Sequence, residues 1–66
     1  MNAALIGENA GLIWCALQNG ALSTKDLKKA TKIKTVADLN LALGWLAREN
    51  KIYFEAIEGD TLVGLC

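Results

Sequence analysis

The most informative stretch of the chain is residues 43–52, which read Leu-Gly-Trp-Leu-Ala-Arg-Glu-Asn-Lys-Ile. Its leucines lie at helical spacing, and Asn50 tolerates the left-handed backbone conformation in which many helices end. Residues 52–57, which follow at once, are rich in β-branched and aromatic side chains. The stretch therefore predicts a helix that stops at about Asn50 and leads directly into a β-strand.

The helix that ends here begins at a capping signal. Thr35 is followed three residues later by Asp38, the spacing of a capping box with aspartate in place of the usual glutamate or glutamine. An apolar stripe at helical spacing predicts its core-facing side, which is Val36, Leu39, Leu43 and Leu46. The outward side that remains consists of Ala37, Asp38, Asn40, Leu41 and Gly44.

A shorter helix precedes it. Ser23 and Asp26 repeat the same cap spacing, which predicts a helix over Thr24–Thr31. Leu27 and Ala30 are expected to face inward, and a short turn then joins the two helices. Four lysines spaced i, i+3, i+4 and i+7 share the outward face, namely Lys25, Lys28, Lys29 and Lys32.

The N-terminal segment predicts one more helix, over about residues 2–19, with Asn2 as its cap and Gly20 as its stop. One continuous apolar stripe marks its core side, formed by Ile6, Ala10, Ile13 and Leu17. Three large apolar residues lie off that stripe, so this helix is apolar on more than one side. They are Leu5, Leu12 and Trp14.

The C-terminal residues predict a β-hairpin. Its strands are residues 52–57 and 61–65, and the Gly59-Asp60 pair suits a two-residue type II′ turn between them. Alternation along the first strand places three side chains on one face, namely Ile52, Phe54 and Ala56.

The order helix, short helix, turn, longer helix and hairpin is that of the winged helix-turn-helix fold. The residues that carry this resemblance are Leu22-Ser23-Thr24-Lys25-Asp26-Leu27 and the 43–52 stretch. Within the latter, Ala-Leu-Gly-Trp-Leu-Ala-Arg-Glu at 42–49 resembles a family of small, uncharacterised bacterial winged-helix proteins, and the resemblance extends over residues 10–65. It implies one mainly α domain of the α+β class over residues 1–66, with three helices and a two-stranded wing. For function it implies only the general association of winged helices with DNA, because a fold does not fix a function.

The composition limits the kinds of site and the cellular location that we expect. The 66 residues include no histidine, and the only two cysteines, Cys15 and Cys66, lack ligand spacing, so we expect no metal, cofactor or catalytic centre. A disulfide between the two stays open, although intracellular chains more often keep such thiols reduced. The longest apolar run, residues 10–17, is far shorter than the roughly 20 residues of a membrane span, and no signal peptide is evident. We therefore expect a cytoplasmic protein that does not bind membranes.

The charges sum to zero but are unevenly distributed. Residues 25–34 hold five lysines against Asp26, whereas residues 49–60 hold four acids against Lys51. In a helix-turn-helix the earlier helix crosses the phosphate backbone and the later one enters the major groove. Asn40, whose amide suits adenine, is therefore the candidate base contact. The candidate phosphate contacts are Lys25, Lys28, Lys29, Lys32 and Lys34.

Other residues argue against tight DNA recognition. The wing carries Glu55, Glu58 and Asp60 where arginine or lysine would meet DNA, and the outward face of the third helix offers only Asn40 for reading bases. An alternative role for the lysines is a solvated helix face that keeps an apolar domain soluble. We therefore expect any DNA binding to be weak and salt-dependent.

Self-association is the other expectation. Hydrophobic residues make up 53% of the chain before its six glycines are counted, against roughly 45–50% with glycine in an ordinary globular domain. So short a chain has little interior. We therefore predict a homodimer through apolar residues outside the core stripes, by the first helix or, as second candidate, by the hairpin edge. The candidate interface residues are Leu5, Leu12, Trp14, Leu41 and Trp45.

Two alternatives stay open for these residues. The composition also fits a simple alanine- and leucine-rich core, in which Trp45 lies under the hairpin against Tyr53. In the other alternative, the domain is a protein–protein interaction module that keeps the fold without reading DNA. Tryptophan and arginine are favoured interface anchors, and four residues line up along the third helix for this role, namely Ala37, Leu41, Trp45 and Arg48.

Overall fold

Three helices and three strands make up residues 3–66, the part of the chain that this computed structural model describes. The helices are α1 (Ala3–Ala16), α2 (Thr24–Thr31) and α3 (Val36–Arg48), and the strands are β1 (Leu22–Ser23), β2 (Ile52–Ile57) and β3 (Asp60–Leu65). A 3₁₀ turn, Leu17–Asn19, continues α1. The predicted order of helices and hairpin is confirmed.

The core lies where α1 packs against α2 and α3, and where α2 and α3 in turn contact strands of the sheet. Ile13 of α1, Leu27 of α2 and Val63 of β3 are completely shielded from solvent. Each helix therefore contributes to one shared interior, although Ile6 of the predicted α1 stripe is only partly buried. The buried apolar residues are Ala10, Ile13, Leu17, Leu27, Ile33, Leu39, Ala42, Leu43, Leu46, Ile52 and Val63.

The predicted helix starts of α2 and α3 are confirmed. The Ser23 hydroxyl accepts a hydrogen bond from the Asp26 N–H at 3.2 Å, and the Thr35 hydroxyl accepts one from the Asp38 N–H at 3.1 Å. Each bond satisfies an N–H that the first helical turn cannot pair internally. The cap expected at Asn2 lies outside the described residues.

The chain leaves α2 and α3 through residues that have a left-handed backbone conformation. Lys32, with a φ of 60°, closes α2, and Asn50, with a φ of 57°, follows α3 two residues after its last helical residue. Asparagine is among the few residues that adopt this conformation readily. The stop predicted at Asn50 is therefore confirmed to within two residues.

The sheet has three strands rather than the two predicted. Its order is β1-β3-β2, and both pairings are antiparallel. Two residues of the central strand β3 pair on both sides: Val63 with Leu22 and Phe54, and Leu62 with Ser23 and Glu55. β1 was missed because two residues are too few to show an alternating pattern.

The hairpin turn lies one residue earlier than predicted. Ile57 pairs with Asp60, so the two loop residues are Glu58 and Gly59 rather than Gly59 and Asp60. Gly59 has a φ of 76°, which places the positive φ at the second loop position, whereas a type II′ turn needs it at the first. The expected type II′ turn is therefore wrong, although a glycine is still required.

Several predicted orientations are also wrong. Val36 is 60% exposed and Ala30 is exposed, while Ala42, which was not predicted, is fully buried. Val36 is the first residue of α3, so its side chain lies at the rim of the helix packing. On β2 only Ile52 is buried, and Phe54 and Ala56, which were predicted to share its face, are exposed.

Both thiols, of Cys15 and Cys66, are exposed and free, so the disulfide that the sequence leaves open is not formed. Within residues 3–66, no helix combines the length and apolar character needed to cross a bilayer. No three or more cysteine, aspartate or glutamate side chains in this range are grouped as metal ligands.

Candidate nucleic-acid interface

All six residues predicted to face DNA line one cleft between α2 and the start of α3. The cleft has a volume of about 500 Å³ and is open to solvent. The spacing within α2 predicted only that four lysines share a face, whereas the fold adds residues from two other segments to the same concavity. The predicted residues in the cleft are Lys25, Lys28, Lys29, Lys32, Lys34 and Asn40.

The left-handed end of α2 shapes this cleft. The N–H of Lys32 bonds to the carbonyl of Lys28 at 3.0 Å, which closes the last turn of α2. The chain then reverses, and Ile33 is buried as an anchor between the helices. This reversal places Lys34 beside the α2 lysines and directs the start of α3 along the opposite wall.

The floor of the cleft is apolar. Ile33 and Leu39 are buried there, and Val36 is exposed beside them. Lysine stems lie favourably along apolar surface while their ammonium groups stay in water. Of the ten described residues that line the cleft, none is acidic. The lining of the cleft is therefore cationic, and the nearest carboxylate the hydrogen bonds place beside it is that of Asp60, which bonds to Thr24 and Lys25.

The lysines also have a structural role that needs no ligand. Lys28 and Lys29 lie in the last turn of α2, and Asp26 lies in its first turn. This charge arrangement complements the helix dipole and stabilises each end by roughly 0.3–1 kcal/mol. Part of the charge pattern of α2 therefore stabilises the helix itself.

Asp60 lies on the wing, as predicted, where it is the first residue of β3, but its carboxylate is held by hydrogen bonds rather than left free. Its carboxylate accepts a hydrogen bond from the Thr24 hydroxyl, one from the Lys25 N–H at 3.2 Å and one from its neighbour, the Thr61 N–H, at 2.6 Å. These donors, with the Thr24 hydroxyl first, hold the pKa of Asp60 below its usual value. Asp60 thus joins β3 to the first turn of α2, a role that sequence reasoning missed, and Glu55 and Glu58 remain as exposed wing acids.

This role of Asp60 predicts a pH dependence of stability. A carboxyl group with a lowered folded-state pKa stabilises the fold above its unfolded pKa, about 3.9, and loses that contribution as the pH falls through the folded value. The wild-type protein is therefore expected to have a higher melting temperature than Asp60→Asn at pH 7, and this difference should shrink below about pH 4. Thermal melts of both proteins from pH 7 to pH 2.5 measure this. Two melting curves that stay parallel down to the lowest pH would contradict the assignment.

The predicted interface residues are all exposed, but they do not form one surface. Trp14 and Trp45, which are 44% and 45% exposed, line a groove between α1 and α3. Leu5 and Leu12 line a different depression, against the turn between α2 and α3. The alternative in which Trp45 is buried against Tyr53 is therefore wrong.

The three helices, the antiparallel sheet and the hairpin define a winged helix-turn-helix domain. The profile of the winged helix-turn-helix domain family DUF2582 matches residues 1–65, and the chain belongs to this family. The fold also matches the solution NMR structure of protein BT2368 from Bacteroides thetaiotaomicron, with a TM-score of 0.83 and 35% sequence identity. That match covers 98% of this chain and 79% of the other. No curated protein matches the sequence.

Proposed function

We propose that this winged helix binds duplex DNA weakly through the lysine cleft and acts as a homodimer in a non-catalytic, regulatory role in the cytoplasm. The observation that carries the proposal is the cleft itself. Five lysines and Asn40, drawn from α2, the following turn and α3, line one concavity that contains no acid among its described residues. A polyanion is the ligand whose charge this surface complements.

The contacts would be mainly to phosphates. Lysine meets a phosphate as a point charge, and each neutralised phosphate releases a condensed counterion. In a helix-turn-helix the earlier helix, here α2, crosses the backbone while the later helix, here α3, reaches the major groove. On α3 the exposed residues near Asn40 are Ala37, Leu41 and Gly44, which offer no side-chain donors to bases. Binding of this kind depends little on sequence.

A second candidate function is a protein–protein interaction module. The observation that favours it is the pair of half-exposed tryptophans between α1 and α3. Tryptophan is enriched among the residues that dominate binding energy at protein interfaces. In this case the lysines would serve only the solvation and helix stability of α2.

An NMR titration with a duplex of mixed sequence separates these two functions. If the proposal is right, amide shifts concentrate on the lysine cleft, and those of Glu55 and Glu58 on the wing barely move. Asn40→Ala should bind nearly as well as wild type, because phosphate contacts dominate. Shifts confined to the wing, or no shifts at millimolar duplex and low salt, would contradict DNA binding by the cleft. Nanomolar binding to one sequence would show that α3 reads bases after all.

A further inference from the structure

We infer that the groove between α1 and α3 is where a second copy of this chain docks, with the tryptophans of each copy packed over the glycines of the other. The inference rests on the homodimer in the proposed function and adds the surface that forms it. The groove has a volume of about 390 Å³ and is formed by Gly7, Ala10, Gly11, Trp14, Trp45, Leu46, Glu49 and Lys51.

The two tryptophans point to an apolar occupant. They are the only tryptophans of the chain, and both line this groove although they stand on different helices. Each leaves nearly half of its surface in water, which corresponds to roughly 100 Å² of mostly apolar area per side chain. Leu41, which lies one helical turn before Trp45 and is 38% exposed, extends the surface.

The two glycines point to close approach by another molecule. Gly7 and Gly11 stand one turn apart in α1, where glycine is less favourable than alanine. A Cβ added at either position would meet nothing within 4 Å in the chain itself. Packing within the protomer therefore does not require glycine at these positions. Their lack of side chains leaves the α1 backbone open to a neighbour beside Trp14, in the same groove.

The groove complements itself, which favours a second copy over another partner. It contains both projecting rings and the open backbone that would receive them, and a two-fold axis repeats this pairing in both directions. The charges of the groove are also self-complementary, because an acidic residue, Glu49, and a basic residue, Lys51, both line it. A two-fold rotation can set Glu49 of each copy against Lys51 of the other.

The size of the surface sets the expected affinity. A stable interface buries about 800 Å² on each partner, and the exposed parts of Trp14, Trp45 and Leu41 supply less than half of this. The rest must come from polar residues at the rim. We therefore expect a dissociation constant in the micromolar range rather than the nanomolar range.

The test uses a variant that should make the fold more stable but the dimer weaker. Gly7→Ala with Gly11→Ala should raise the melting temperature of the monomer by roughly 5 °C or more, because alanine favours the helix. The same double variant should weaken dimerisation at least tenfold, because four added methyl groups cover the open backbone. Gly44→Ala is the matched control, since Gly44 is helical, also has open space at its Cβ, and does not line the groove.

Sedimentation equilibrium from 1 µM to 1 mM measures association, and tryptophan emission reports on the groove directly. The wild type should dimerise with a blue shift of its emission, Trp45→Ala should dimerise at least tenfold more weakly, and Gly44→Ala should match the wild type. If Gly7→Ala with Gly11→Ala melts higher but associates like the wild type, the inferred surface is wrong.

Two further outcomes would also overturn the inference. Loss of the dimer in Leu5→Lys with Leu12→Lys, but not in the glycine variant, would place the interface on the opposite flank of α1. A wild type that remains at 7.1 kDa throughout would remove the dimer itself. Neither outcome affects DNA binding by the lysine cleft, which the duplex titration measures separately.

Discussion

Leu27→Ala is expected to destabilise the domain by about 2–5 kcal/mol, the range measured for leucine truncations in closed cores. Leu27 is completely shielded from solvent at the point where α2 meets α1, β1 and β3. A 66-residue domain has a total stability of only about 3–10 kcal/mol. One truncation therefore removes a large share of it, and the midpoint of denaturation should fall accordingly.

Urea denaturation followed by circular dichroism checks this, with every protein at one concentration because any dimer adds a concentration-dependent term. Leu12→Ala is the matched control, since Leu12 is also helical but 48% exposed, and it should cost less than about 1 kcal/mol. A loss below about 1 kcal/mol for Leu27→Ala would show that α2 is not anchored through this side chain. The position matters for function because Leu27 holds the lysine-bearing helix to the body of the domain.

The helices could be predicted from sequence because their signals are local. A capping hydroxyl and the N–H that it accepts lie three residues apart, as at Ser23 and Thr35. The stop at Asn50 depends on the backbone preference of one residue. Neither requires knowledge of where the rest of the chain lies, so the bounds of α2 and the start of α3 were predicted closely.

The strands were predicted less well because their pairing is not local. β1 exists only because β3 supplies hydrogen-bonding partners about forty residues later in the chain. On β2, alternation predicts that Ile52 and Phe54 share one face, but it does not indicate how much of that face is covered by the rest of the domain. Phe54 is 50% exposed.

The candidate site, too, was predicted where its signals are local and missed where they depend on distant parts of the chain. Helical spacing predicted a lysine face on α2, but the cleft also needs Lys34 and Asn40 from the far side of the turn. Asp60 was correctly placed on the wing from its position in the sequence, but its hydroxyl donor, Thr24, lies 36 residues away and was not predicted. Both sets of partners depend on tertiary structure, which residue spacing does not contain.

Neutralising the lysine cleft should produce the largest change in DNA binding. If all five lysines contact phosphates, the slope of log affinity against log salt is about −4.5, and raising salt from 50 to 200 mM weakens binding about 500-fold. Replacing Lys28, Lys29 and Lys32 by glutamine leaves two contacts and a slope of about −1.8, so the same change in salt weakens binding only about 12-fold. Fluorescence anisotropy with a labelled duplex of mixed sequence measures both slopes.

The slope is more informative than the affinity in this experiment. Removing lysines from the last turn of α2 also removes their favourable interaction with the helix dipole, so a partly unfolded variant would bind more weakly for a structural reason. Partial unfolding lowers the affinity without removing phosphate contacts from the molecules that remain folded, whereas lost contacts flatten the salt dependence. Arginine at the same three positions keeps the charge and should retain the steep slope. A glutamine variant with weaker binding but an unchanged slope would show that these three lysines stabilise α2 and do not contact DNA.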